Sequence, residues 1–480
     1  MPKYQPTWNS VREHITPKWF KDAKFGIYTH WGIYSVPACR PNATWYPHNM
    51  YLDGTPQFEH HVKTYGHPSK FGYKDFIPML TGEKFDADEW ANLFKKAGAK
   101  FAGPVGEHHD GFSMWDTKLN EWNSAKMGPK KNVVAELEKA IRKLDMKYMV
   151  ALHHAENWRF FPHWKLDCDV SNPAYAGLYG EPNNTEWANG VPKGNIYDLQ
   201  SKPSQKFLEK WLAKTFEIVD KFTPDLLWFD FGLGDIQEHY QREFLAYYYN
   251  KALEWNKEVV VNYKFNNLVA GSGVIDIEQG SSDVLTYNDW ITDTTVDDGD
   301  GWAYLFDAKY KSSESLIHYL IDNVSKNGYM LLNVGPKPNG EIPDEAKSIL
   351  LNMGKWLDLN GEAIYGTTAW RIYGEGPTKM TKSGPFCENE GLKYTAKDIR
   401  FTAKDDALYA ICLGWPEKEV LIESTRGILY EEEIESIRML GVEGEMQWKC
   451  TKEGLLVQMH GEKPCEAAYV LKIERKHPFR

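Results

Sequence analysis

The chain has no apolar run near the roughly 18 residues that a membrane-spanning helix needs, and its mean hydropathy is -0.56. It also lacks a basic excess: 56 Lys and Arg stand against 67 Asp and Glu, a net charge of -11. That disfavours nucleic acid, because phosphate binding needs a net positive face. Cysteine is sparse. Cys39, Cys168, Cys387, Cys412, Cys450 and Cys465 are scattered without short spacings, so neither a zinc pattern nor a disulfide framework can be read from them, and they suit a reducing compartment. The first ten residues are polar, with Pro2 and Pro6, and lack the apolar stretch of a secretory signal. The expected location is the cytoplasm or, where a leader has been removed, the periplasm or the exterior. No internal repeat or low-complexity tract is visible. What is abundant is aromatic side chains, with 19 Trp, 27 Tyr and 22 Phe in 480 residues. Most belong in a core, but a cleft lined by flat, amphipathic rings also suits a sugar.

From about residue 20 to 360, short apolar runs alternate with amphipathic stretches, the order expected of βαβ units and a parallel sheet. The runs are Phe25 to Thr29, Phe101 to Val105, Tyr148 to Leu152, Leu226 to Phe229, Val259 to Asn262, Val274 to Ile277 and Met330 to Val334. Between them, Trp90, Leu93, Phe94 and Ala97 share one helical face, as do Val134, Leu137, Ile141 and Leu144. Phe207, Leu208, Trp211, Leu212, Val219 and Phe222 mark a third helix before the strand at Leu226. Seven such strands approach the eight of a (β/α)8 (TIM) barrel, with the eighth unplaced; a doubly wound sheet is the competing α/β architecture. After Gly366 the texture changes to short β-rich segments, Ile399 to Thr402, Ala407 to Leu413, Glu419 to Ile422, Gly454 to Met459 and Tyr469 to Ile473, which predict a C-terminal antiparallel β-sandwich. The boundary falls between Gly361 and Trp370, dividing a catalytic domain, 1–365, from a sandwich domain, 366–480.

The chemistry-bearing residues sit immediately after the apolar runs. His30-Trp31-Gly32 follows the first, Glu107-His108-His109-Asp110-Gly111-Phe112 the second, His153-His154-Ala155-Glu156-Asn157-Trp158 the third, Asp230 the fourth and Glu278 the sixth. In a barrel the C-terminal strand ends converge on one mouth, so these residues would line a single pocket. Two carboxyls there, among His and Trp, are what glycoside cleavage needs: one attacks the anomeric carbon while the other protonates the leaving oxygen. A separation near roughly 5 Å permits a covalent intermediate and retained configuration. The bland readings are a helix cap for Asp230 and core packing for Trp31, Trp45 and Trp158. Adjacent His108 and His109 could not both face one ion while on a strand, and no His-x-His or His-Glu-x-x-His spacing occurs, yet ligands gathered from different strands keep a metal site open. The acidic stretch Asp293, Asp297, Asp298 and Asp300 does not meet the calcium-loop spacing and is read as a solvated loop.

Over residues 18 to 370 the sequence resembles the α-L-fucosidases of glycoside hydrolase family 29. The resemblance is carried by Trp19-Phe20, Ala23-Lys24-Phe25-Gly26-Ile27, His30-Trp31-Gly32 with Tyr34-Ser35-Val36-Pro37-Ala38, Trp45-Tyr46, His108-His109-Asp110-Gly111-Phe112, Trp228-Phe229-Asp230, Leu331-Leu332-Asn333-Val334-Gly335-Pro336 and Gly340-Glu341-Ile342-Pro343. It implies a (β/α)8-like catalytic domain, a C-terminal β-sandwich and a retaining hydrolysis of terminal α-L-fucosyl linkages, with no metal or other cofactor and a fucosylated glycan as partner. Asp230 matches the nucleophile; His30, His108, His109 and Trp228 match residues that hold the fucose; Trp45 and Tyr46 match a loop that closes over it. His153 stands where the family has a Tyr. Glu278, after the sixth strand, matches the acid/base of some members, with Asp289 and Asp293 in reserve, since the alternative Trp-Glu-x-x-Thr segment has Ile291 at the Glu position. Glu107 replaces a frequent Lys, and Lys264 lies near a sugar-binding Arg of some members. The segment Asp167 to Gly194 is expected to wall the leaving-group side. A sugar-binding protein without catalysis, and a metal-dependent hydrolase using His30, His108 and His153, are the rival readings. Oligomeric state is left open.

Overall fold

In the computed structural model, which describes residues 2–182, 202–380, 382–388 and 392–476, eight parallel strands close into a barrel in sequence order. They are β1 (Phe25–Thr29), β2 (Phe101–Glu107), β3 (Lys147–Leu152), β4 (Leu226–Phe229), β5 (Val260–Lys264), β6 (Val274–Asp276), β7 (Trp290–Thr295) and β8 (Gly328–Val334). β8 pairs with β1, Leu332 opposite Ile27, and that closure rules out a doubly wound sheet. The helices read from spacing are present as α1 (Ala87–Lys96), α2 (Val133–Lys143) and α3 (Gln205–Phe222). Each starts at a side-chain cap, Asp86, Asn132 and Ser204, whose oxygen accepts a backbone N–H in the first turn. α4 (Glu238–Glu254), α5 (Ser313–Ser325) and α6 (Asp344–Asn360) complete the outer layer. Among the described residues no helix stands between β5 and β6 or between β6 and β7.

The strand that hydropathy could not place is β7. Its sequence is Trp-Ile-Thr-Asp-Thr-Thr, yet every residue is buried. The polarity is satisfied internally: Thr292 bonds Ile277 O and Tyr319 Oη, Thr294 bonds Glu388, and Asp293 accepts from Tyr28 and Lys264. Asp293 is therefore not part of a solvated loop. Asp297 is buried too, accepting the Gly299 N–H, while Asp298 and Asp300 pair with Arg40.

Strand parity decides what reaches the barrel axis. Tyr28, Val105, Ala151, Trp228, Val260, Val274, Ile291 and Leu331 form one interior cluster, closed at its lower end by Trp19, Phe20 and Ala23. Their strand neighbours Ile27, Ala102, Val150, Leu152, Leu227, Phe229, Val261 and Leu332 pack outward beneath the helices. Counting by twos from the interior residues leads to His30, His153, Asp230, Lys264, Asp276, Glu278, Asp293 and Asn333. β2 needs a correction. A register shift between Val105 and Glu107 sets Glu107 opposite the outward Leu152. Glu107 then meets Lys214 of α3 at 2.6 Å, and His108 turns inward.

Beyond α6, β9 (Thr368–Glu375), β10 (Ile399–Lys404), β11 (Ala407–Cys412), β12 (Glu419–Ile422), β13 (Ile434–Met439), β14 (Gln447–Cys450), β15 (Leu455–Gln458) and β16 (Tyr469–Arg475) form two antiparallel sheets, ordered β13-β16-β11-β10-β9 and β12-β15-β14. Phe401, Leu408 and Ile473 of the first and Ile422, Leu455 and Val457 of the second share one apolar core, as in a sandwich. β9, β13 and β14 went unread because their residues are half-buried or interrupted by charge. Arg400 of β10 anchors this part to α5 through Asp322 at 2.6 Å, and Trp356 of α6 donates to Ala468 O at 2.9 Å.

Candidate active site

The end of β4 carries the first carboxyl. Parity sends Trp228 and Asp230 inward together, and Gly232 turns the chain away with φ +83, where a Cβ would lie 2.6 Å from Glu156. One oxygen of Asp230 accepts from His153 Nδ1 at 2.8 Å and lies 3.4 Å from His109 Nε2; the other accepts the Phe231 N–H at 2.8 Å. His109 is oriented by donating from Nδ1 to His153 O at 2.9 Å. Burial alone would push the Asp230 carboxyl up, but the charge and hydrogen bonds of His153 and His109 outweigh it and hold it well below the usual carboxylate range. His109 is correspondingly raised: burial favours its neutral form, and the Asp230 carboxylate overrides that. Burial lowers His30, His108 and His153; neighbouring histidines add to it for His30 and His108, while His153 stays lowered although the Asp230 carboxylate pulls it up. His30 is held by Asn333 Oδ1 at 2.8 Å, while His108 Nδ1 and His153 Nε2 have no protein partner and are buried. These are ring nitrogens ready for a ligand's hydroxyls.

The opposite wall is crowded with carboxyls. Lys264 of β5 reaches Asp276 at 3.2 Å, Glu278 at 3.4 Å and Asp293 in a tight contact. Trp228 Nε1 donates to Asp276 at 2.8 Å. Three carboxyls thus share one buried ammonium, whose single charge cannot balance all of them. Burial and the neighbouring Asp293 push Asp276 well above its ordinary value. Burial also pushes Glu278 up to about 7, helped by Asp293 and Asp230 and opposed by Lys264. Lys264 itself stays protonated: burial would lower it, but Asp276, Asp293, Glu278 and Asp230 raise it.

Asp230 and Glu278 line one cavity at the C-terminal mouth, together with Tyr28, His30, Trp45, His108, His109, His153, Trp228, Lys264, Asp293 and Trp302. This narrow cavity widens past Asn42, Trp45, Phe231, Glu278 and Trp302 into an open vestibule. Of the residues named from sequence, Tyr46 does not belong here. It is buried against α-helical residues 56–65, with its hydroxyl on His61 Nδ1 at 2.8 Å. Trp31 is core, stacked on Phe85 and donating to Lys337 O; Trp158 lines a different cavity behind the barrel wall. Asp289, one reserve acid, precedes β7 at the far end of the barrel, bound to Tyr329 Oη and Lys21. Asp293, the other, reaches the cavity but is tied to Lys264 and Tyr28. The expected leaving-group wall is also corrected: residues 176, 177, 180, 181 and 182 line the rear cavity, not the vestibule, and 183–194 lie outside the described residues. Tyr28, Asp276 and Asn333 were missed although inward parity marks all three. Trp302, whose ring lies 5.7 Å from His30, sits on a loop with φ +54 and gives no sequence signal.

Among the described residues, two groupings bring ligand atoms within 4.8 Å of one another, His30 with His108 and His153, and His109 with His153 and Asp230. The first is a neutral imidazole triad that suits a borderline divalent ion. The second already spends its nitrogens on the Asp230 carboxylate.

Comparison with known proteins follows the same lines. The α-L-fucosidase family model matches residues 1–362, and the α-L-fucosidase C-terminal domain model matches residues 393–474. The chain is 31% identical to tissue α-L-fucosidase of Rattus norvegicus over 98% of its own length and 93% of that protein's, and 31% identical to the Homo sapiens protein over 98% and 92%. It superposes on the Thermotoga maritima α-fucosidase in complex with fucose with a TM-score of 0.76 at 30% identity, covering 98% of this chain and all of that one. The resemblance read from the motifs is borne out, and the chain belongs to the α-L-fucosidase family, glycoside hydrolase family 29.

Proposed function

We propose that this protein is a retaining exo-glycosidase that hydrolyses terminal α-L-fucosyl linkages of oligosaccharides or glycoconjugates in two displacements. The observation that carries the reading is the pairing of unlike carboxyls in one cavity, Asp230 held ionised by histidines and Glu278 held up to about 7 by burial and neighbouring carboxylates. Asp230 attacks the anomeric carbon while Glu278 gives its proton to the leaving oxygen; Glu278 then takes a proton from water as the glycosyl-enzyme ester is hydrolysed. His30, His108 and His153 offer ring nitrogens to the sugar's hydroxyls, His109 borders the sugar with its nitrogens committed to Asp230 and His153 O, and Trp45, Trp228 and Trp302 supply flat apolar faces to the ring. Lys264 acts on the sugar's reaction chiefly through the carboxyls it holds.

An Asp230→Ala variant is expected to lose nearly all turnover yet still bind fucose; undiminished hydrolysis sinks the assignment. For Glu278→Ala, added azide is expected to restore cleavage of an activated aryl fucoside and release a fucosyl azide, whereas full activity without azide rejects the acid/base role. The triad of His30, His108 and His153 supports one second reading, a hydrolase whose bound divalent ion activates water.

A further inference from the structure

Among the described residues, fourteen non-glycine residues have φ in the left-handed region. Five of them, Asn42, Phe265, Gln279, Trp302 and Phe386, line the vestibule outside the fucose cavity. Such backbone is unfavourable for side chains carrying a Cβ, and for bulky aromatics it persists only where surrounding structure holds it. Phe386 is the most telling of the five. It comes from the C-terminal part of the chain, on a strap of residues 382–388 that returns to the barrel mouth. The strap is held by main-chain bonds: the Gly384 N–H donates to Ser281 O at 2.8 Å, the Ser281 N–H to Gly384 O at 3.2 Å, and the Phe386 N–H to the carbonyl of Glu278 at 2.8 Å. Glu388, at its far end, pairs with Lys311 at 2.7 Å. Phe386 itself is 64% exposed although it borders the vestibule, so its own packing does not explain why a phenyl stands there at φ 54.

We infer that Phe386 is the platform for the leaving-group sugar, so that the C-terminal region supplies part of the enzyme's specificity. The inference rests on the hydrolase reading above. A pyranose departing from Glu278 must exit through the vestibule, where Phe386 offers an apolar face. Asn267, Gln279 and the ion-paired Arg159 and Asp235 border the same space and offer polar atoms to its hydroxyls. An aromatic face paired with a polar rim is the chemistry of a second sugar ring rather than of a simple alkyl or hydroxyl leaving group. Because the strap is tied through its backbone, truncating the ring leaves its attachment to Glu278 in place.

The test compares two substrates with the same fucosyl group: a fucosyl-hexose disaccharide, whose leaving sugar reaches Phe386, and α-L-fucosyl fluoride, whose leaving group does not. The quantity read is the ratio of kcat/KM on the disaccharide to that on the fluoride. In Phe386→Ala this ratio is expected to fall about tenfold, the scale of one lost aromatic contact. Phe386→Trp should restore it. Tyr287→Ala, which removes a 96% exposed aromatic outside the vestibule, should not move it. An unchanged ratio in Phe386→Ala overturns the inference, whether both substrates are spared or both slow equally, since equal slowing means the strap acts only by placing Glu278. Failure of the wild type to hydrolyse the fluoride overturns the hydrolase reading instead.

Discussion

The two walls of the cavity are made of the same fold and differ in what surrounds their carboxyls. On the β2 to β4 side, Asp230 is the one carboxylate among His109 and His153, and they keep it ionised. On the β5 to β7 side, Glu278 shares Lys264 with Asp276 and Asp293, and burial, aided by neighbouring carboxylates, pushes it up to about 7. Neither carboxyl has an intrinsic role. The neighbours set them apart, and in the proposed mechanism that suits one to be a nucleophile and the other an acid at a single pH.

Removing the charge on the histidine side is expected to do the most damage. Asp230→Ala should lower kcat by about 10⁴-fold or more on any fucoside, measured by fucose release, because it removes the nucleophile of the proposed mechanism. On the other side, Glu278→Gln should cost about 10²- to 10⁴-fold with a sugar leaving group and much less with a nitrophenolate, which needs little protonation. Equal losses on both substrates would mean that Glu278 is not the proton donor. Lys264→Met attacks the balance itself. It leaves three buried carboxyls without their cation, and the structure should lose about 3 kcal/mol at pH 8 by denaturant unfolding. A carboxyl whose folded pKa lies above its unfolded value destabilises the fold once pH exceeds the unfolded value, so this loss should shrink toward pH 5. Since Lys264 pulls Glu278 down, its removal should also move the basic limb of the activity profile to higher pH. His153→Phe takes one proton-bearing partner from Asp230 and should raise the acidic limb, because burial then acts with less opposition. The smallest effect is expected from chelation: exhaustive EDTA treatment should leave kcat unchanged, and a loss restored by zinc would turn the histidine wall into a metal site.

Much of this was legible in the sequence, for a physical reason. A barrel strand with an apolar body and a polar end announces both itself and its contribution to the mouth, so His30, His153, Asp230 and Glu278 could be named from position. β7 could not be found because the site had replaced its apolar residues with Thr and Asp, whose partners come from Tyr28, Lys264, Tyr319 and Glu388, distant in sequence. The same strand hides Asp293. β2 misleads in the other direction: strict alternation would send Glu107 inward, and the shift at Val105 to Glu107 reverses it, delivering His108 to the cavity and Glu107 to Lys214. Tyr46 shows the limit of matching by motif. It is adjacent to Trp45, which does line the cavity, but its hydroxyl is committed to His61. Trp302 and Phe386 depend on loop conformations that no periodicity encodes.

The unlike protonation of the two carboxyls is tested most directly by kcat/KM as a function of pH, on a fucosyl disaccharide, for the wild type and for Glu278→Gln. The wild type should lose activity as pH rises through about 7, with its acidic limb below the ordinary carboxylate range, and the basic limb should vanish in Glu278→Gln. A basic limb that persists unchanged in the variant, or a wild-type profile flat across neutrality, would contradict the account.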